Sequence, residues 1–107
     1  MEKRGRQRKK THLPTRFGAD RPERLGLITD VSGRGVFLST NIVLAKGSPV
    51  QLQVKVPGGD DLRLQGRVTR ARRVASALVM IATGGMGIRL LDPPPDWRTR
   101  LALAEEA

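Results

Sequence analysis

Two short patterns hold the side chains with most chemistry to offer. Arg4-Gly-Arg-Gln-Arg8 spaces two guanidinium groups four residues apart, in a tail that also carries Lys3, Arg6, Lys9 and Lys10. Asp30-Val-Ser-Gly-Arg-Gly35 gathers a carboxylate (Asp30), a hydroxyl (Ser32), a guanidinium (Arg34) and a glycine (Gly35) within six residues. Arginine presents a planar fork that meets phosphate oxygens or a base edge with two hydrogen bonds and can stack on a ring. An Asp-x-Ser-x-x-Gly segment can hydrogen-bond a ligand from a turn. Each pattern also has an ordinary explanation. Arginines four apart arise by chance in an arginine-rich tail, and Asp, Ser and Gly are the residues that any tight turn recruits.

Catalytic chemistry is poorly supplied. The single histidine, His12, has no evident carboxylate partner. The acidic residues from Asp20 to Glu106 fall mostly in turns and near the helix ends, with no metal-ligand spacing among them. There is no cysteine, which removes disulfides, thiolate metal sites and thiol nucleophiles. Neither a phosphate-binding G-x-x-x-x-G-K-[ST] loop nor a G-x-S-x-G elbow occurs. The chain is expected to be a binding protein without metal or cofactor, not an enzyme.

The net charge of +10 points to a polyanionic partner: nucleic acid, an anionic membrane face or a phosphorylated small molecule. The surplus concentrates in the first ten residues and again at Arg67, Arg70, Arg72 and Arg73. A solubilising tail would explain the first group equally well. Aromatic residues are limited to Phe17, Phe37 and Trp97, too few for a platform that stacks successive bases. The basic start shows no secretory pattern, and the longest apolar window, Val74–Ala82, is about half of a membrane span. A soluble, cytoplasmic protein without membrane insertion is expected.

These side chains need elements to position them. With 107 residues the chain has room for one domain. Residues 1–12 are expected to form a basic arm, mobile through Lys10, and residues 13–107 the folded body. Arg24–Val31 predicts a half-buried strand, with Leu25 and Leu27 on one face and Ile28 on the other. Gly35–Thr40 predicts the next strand, reached through a Ser32-Gly33-Arg34 turn. Pro49–Pro57 alternates strictly, with Val50, Leu52, Val54 and Val56 on one face. Leu62–Arg73 resumes the alternation after a Pro-Gly-Gly-Asp-Asp turn, which makes a long hairpin. Met86–Leu91 predicts a last strand, closed by the Asp92-Pro-Pro-Pro segment. Asp96 is placed to cap a short terminal helix, with Trp97, Leu101 and Ala104 or Leu103 at helical spacing and Trp97 as a core plug. Roughly six strands and one helix indicate an all-β antiparallel barrel or sandwich. Val74–Ala82 suits a strand extension, a short helix or a self-association surface.

Taken together and in this order, the patterns resemble the PilZ domain family. The landmarks are Arg4 and Arg8, Leu13-Pro-Thr-Arg-Phe17, Asp30-x-Ser32-x-x-Gly35, Gly47-x-Pro-Val50 and Gly85-Met-Gly-Ile-Arg89. The resemblance runs from Arg4 to Leu91. It implies a six-stranded antiparallel β-barrel with a C-terminal helix, acting as a bacterial receptor for cyclic di-GMP. It further implies that Arg4 and Arg8 fold over the ligand from a flexible arm. Asp30 and Ser32 would hydrogen-bond a guanine edge, and Gly35 would allow close backbone approach. Lys3, Lys9 and Arg34 are secondary candidates. Lys3, before the arginine motif, leaves one ligand or a stacked pair open, and Leu90 stands where the family usually has an aromatic. The implied output is coupling of the messenger to an effector protein in motility, pili, exopolysaccharide or biofilm control. The alternatives are a relative that binds no nucleotide and acts by protein contacts, with a homodimer through Val74–Ala82 as one form, and a nucleic-acid-binding barrel, which the scarce aromatics disfavour.

Overall fold

The computed structural model describes residues 9–57, 60–72 and 84–106. Six strands, β1 (Lys9–Gly18), β2 (Arg24–Val31), β3 (Gly35–Ser39), β4 (Pro49–Val54), β5 (Leu62–Arg72) and β6 (Gly85–Leu90), precede one helix, α1 (Trp97–Glu106). The strands close into an antiparallel barrel in the order β1-β2-β3-β6-β5-β4, as the alternating pattern implied. Closure leaves no long free sheet edge, and a chain this short can then surround a single core.

The core follows the period of two. Val50, Leu52 and Val54 of β4 face Leu62, Leu64 and Val68 of β5 inside the barrel, all nearly inaccessible. β4 stops at Val54, three residues short of the expected end, and Val56 packs against the core from the loop. In β2, Ile28 is fully buried while Leu25 and Leu27 lie on the solvent side. The expected self-association segment Val74–Ala82 and the glycines of the β4–β5 turn lie outside the described residues.

β1 begins at Lys9, so Lys9 and Lys10, which the sequence reading put in a mobile arm, are strand residues paired with Val31 and Asp30. The missed signal was alternation: Thr11, Leu13, Thr15 and Phe17 are buried, and His12, Pro14 and Arg16 are exposed. Two threonines in the inward set hid the apolar period. Pro14 is tolerated because β4 pairs with β1 only from Thr15 onward, so no ladder bond is lost on that side.

Helix α1 packs against β1 and β5 and contributes Trp97 and Leu101 to the core. Ala104 is the half-buried partner, and Leu103 faces solvent. Arg98 Nη2 donates to the Ser32 carbonyl at 2.9 Å, and Arg100 Nη2 donates to the Asp60 carbonyl at 3.0 Å. The helix is thereby fixed at the barrel end that carries the β2–β3 and β4–β5 turns. No helix among the described residues is long and apolar enough to cross a membrane.

Candidate functional site

Asp30 owes its position to one extra residue. Ile28 pairs with Leu38 inside the barrel, and strict alternation would send residue 30 inward as well. The β2–β3 register instead steps from Ile28↔Leu38 to Asp30↔Phe37, which leaves Thr29 unpaired as a β-bulge. Asp30 therefore stands on the outer face, opposite Phe37 on one side and Lys10 on the other. Bulges commonly redirect a functional side chain in this way.

The carboxylate is largely sheltered, with 15% of its side chain exposed. Lys10 Nζ lies 3.1 Å from Oδ1, within ion-pair distance but out of line for a hydrogen bond. Among the described residues that buried oxygen has no hydrogen-bond donor. A partner this exposed contributes only about 0–1 kcal/mol. Lys10 is thus readily displaced, and Asp30 Oδ1 retains acceptor capacity for an incoming N–H group.

Ser32 and Gly35 close the turn. The Ser32 amide donates to the Gly35 carbonyl at 2.9 Å, and its hydroxyl reaches the same oxygen at a long 3.4 Å. Gly35 is required by the barrel itself, because a Cβ there would collide with the Ile88 carbonyl of β6. The close approach that this glycine permits is therefore strand against strand. The Arg34 carbonyl accepts from the Leu90 amide at 2.9 Å, and its exposed side chain borders the same face.

Asp30, Ser32, Arg34 and Gly35 line one side of a shallow depression of about 240 Å³ on the outer wall. Phe37, Thr69, Arg70, Gly87 and Arg89 line the rest. The volume falls below the ~300–1,000 Å³ of enclosed small-molecule sites, so the depression is a shelf that needs cover from elsewhere. Among the described residues that line it, Asp30 is the only acid, against three arginines. Among the described residues no carboxylate pairs with Arg34, Arg70 or Arg89. The arrangement suits a planar, anionic ligand with hydrogen-bond donors for Asp30 and acceptors for the arginines.

Lys3, Arg4 and Arg8 lie outside the described residues. Lys9 pairs with Val31 at the start of β1, next to the Lys10–Asp30 pair. Arg70, Arg89, Phe37 and Lys10 were missed as site residues. Strand register brings them to this face: Phe37 from the adjacent β3, the others from strands distant in sequence.

A family model described as PilZ domain matches residues 2–103. The fold is similar to a solved structure of the Bacillus subtilis inhibitor of motility, MotI/DgrA, with a TM-score of 0.66 and 14% identity. That match covers 99% of this chain and 49% of the other, so the chain spans about half its length. At this identity the likeness speaks for the fold alone. No curated protein sequence matches the chain.

Proposed function

Because the chain belongs to the PilZ domain family, we propose that it is a receptor for cyclic di-GMP that couples this messenger to a partner protein. The observation that carries the proposal is the placement of Asp30. Its half-buried carboxylate has an unsatisfied oxygen and stands over a shelf whose other charged groups are arginines. Cyclic di-GMP combines what such a site would bind: two phosphates, guanine N1 and N2 donors for a carboxylate, and O6 and N7 acceptors for arginine.

In this reading the wall supplies half of the site and the arm the other half. Asp30 and the Ser32 turn take a guanine edge. Arg4 and Arg8, with Lys3 and Lys9 near them, come over the phosphates and close the open side of the shelf. Ordering an arm on binding costs conformational entropy, which moderates affinity and makes the event a switch: the basic surface presented to a partner changes. Binding and presentation require no catalytic step. The neighbouring fold is described as an inhibitor of motility, which makes motility the first output to assay.

The test is a calorimetric titration with cyclic di-GMP at physiological salt, with cyclic di-AMP and single-stranded DNA as controls. Saturable binding specific to cyclic di-GMP is expected, and the molar ratio distinguishes one ligand from two. Arg8→Ala should cost about 2–5 kcal/mol, as for a desolvated charge that loses its partner. Asp30→Ala should erode the preference for guanine over adenine more than the overall phosphate attraction. Equal binding of the two cyclic dinucleotides by the unmodified protein would refute base reading by Asp30. Salt-sensitive binding to DNA alone would replace the receptor with a nucleic-acid-binding barrel.

A further inference from the structure

Resting on the adaptor half of that reading, we infer that the effector protein docks at a second cleft, which shares no lining residue with the Asp30 shelf. Its occupant is an extended peptide segment of the effector. The segment offers a carboxylate to Arg63 and backbone amide groups to Gln51 and Gln65. The cleft measures about 250 Å³ and lies between the outer face of β4 and β5 and residues 91–94, which follow β6. Backbone geometry holds it open. The Leu91 amide donates to the Gln65 carbonyl at 2.8 Å, which fastens the end of β6 beside β5. Asp92 then takes a left-handed conformation, with φ at 47°, and turns the chain out of the ladder. Pro93 and Pro94 have no amide hydrogen with which to rejoin it. Leu91, which is 41% exposed, and the two prolines give this side an apolar lining.

The opposite side is polar and has hydrogen-bonding capacity to spare. Gln51 and Gln65 are direct cross-strand partners, as are Gln53 and Arg63. Gln53 Nε2 donates to Asp61 Oδ2 at 2.6 Å, so the acid nearest to Arg63 in sequence is engaged by its neighbour. Among the described residues, the side chains of Arg63, Gln51 and Gln65 have no hydrogen bond and no ion pair. Arg63 shares the cleft with Asp92, yet the two form no ion pair with each other. A cation and an anion left apart in one cleft fit a segment with an acid at one end and an N–H donor at the other. A carboxamide both donates and accepts, as a peptide group does, so two of them can read a stretch of backbone.

The surface around the cleft has the composition of a docking site. The long outward side chains of β4, of the first part of β5 and of the end of β1 that pairs with β4 are Arg16, Gln51, Gln53, Arg63, Gln65 and Arg67. Lysine and acids are missing from that set. Interface centres favour arginine and disfavour lysine, glutamate and aspartate. The volume is below the ~300–1,000 Å³ of enclosed small-molecule sites, so an open cleft of this size holds part of a longer chain.

The experiment selects a display library of short random peptides on the full chain loaded with cyclic di-GMP. The best peptide is then titrated into the unmodified protein and two variants, each checked for an unchanged thermal midpoint. Selected peptides should share an acidic residue, and binding should shift the side-chain amide NMR signals of Gln51 and Gln65. Arg63→Gln should weaken peptide binding about tenfold, the size of one charge-assisted hydrogen bond. Lys46→Gln removes the same charge outside the cleft and should leave peptide affinity unchanged. Selection of no peptide, equal peptide affinity in Arg63→Gln, or an equal loss in Lys46→Gln would overturn the inference. The receptor reading is scored separately, by the cyclic di-GMP titration of the unmodified protein, so either can fail while the other stands.

Discussion

Along β4 and the first part of β5 the chain alternates without interruption, and along β2 and the last part of β5 it does not. The regular half pairs from Pro49↔Arg67 through Val54↔Leu62 with no shift. Its inward residues are all apolar, and none of its residues lines the shelf beside Asp30. The interrupted half carries the bulges at Thr29 and Thr69, and next to each the outer face receives a charged residue. Regular alternation builds the core, and one extra residue in a strand moves the next side chain from core to surface. A bulge costs a local break in the ladder, and the regular hairpin supplies packing that tolerates it.

The largest expected effect comes from breaking the irregular half. Inserting one threonine between Phe37 and Leu38 gives Thr29 a partner, restores alternation along β2, drives Asp30 into the core and turns Val31 outward. An uncompensated buried charge costs about 3–5 kcal/mol. Urea denaturation should show a loss at least that large, together with loss of cyclic di-GMP binding. A stable insertion variant that still binds would mean that the bulge is not what places Asp30.

Breaking the regular half should separate stability from binding. Leu52 is 1% exposed and remote from the shelf. Leu52→Ala should cost about 2–5 kcal/mol by cavity formation, read as a lower urea midpoint. The protein that remains folded should bind with unchanged affinity, and a parallel loss of affinity would erase the distinction between the halves.

The smallest effect tests how firmly the turn is held. Arg98 ties α1 to the Ser32 carbonyl at 2.9 Å and lies 5.3 Å over the Trp97 ring, but it is exposed. Arg98→Ala should cost under about 1 kcal/mol of stability. Hydrogen exchange at the Ser32 and Gly35 amides should quicken, while Lys9–Gly18 stays unaltered. Equal protection in both proteins would show that the turn's own hydrogen bonds suffice.

Much of this was legible in the chain itself. Strict alternation in Val50–Val54 and Leu62–Val68 dictated strands and their inward faces, because apolar burial dominates folding and a strand has a period of two. The Asp-x-Ser-x-x-Gly turn stands where local sequence put it. β1 was hidden because two of its inward residues are threonines, so hydropathy alone showed no period.

What the sequence by itself determined was the set of local preferences: which segments are strands, which residues seek the core, where the chain turns, and which side chains have charge to offer. The tertiary structure alone decided that Asp30 and Arg70, forty residues apart, stand in one row on one face. That outcome depends on how strands register across the barrel and on where each takes an extra residue. Register is settled by pairing between distant segments, which no window of sequence contains.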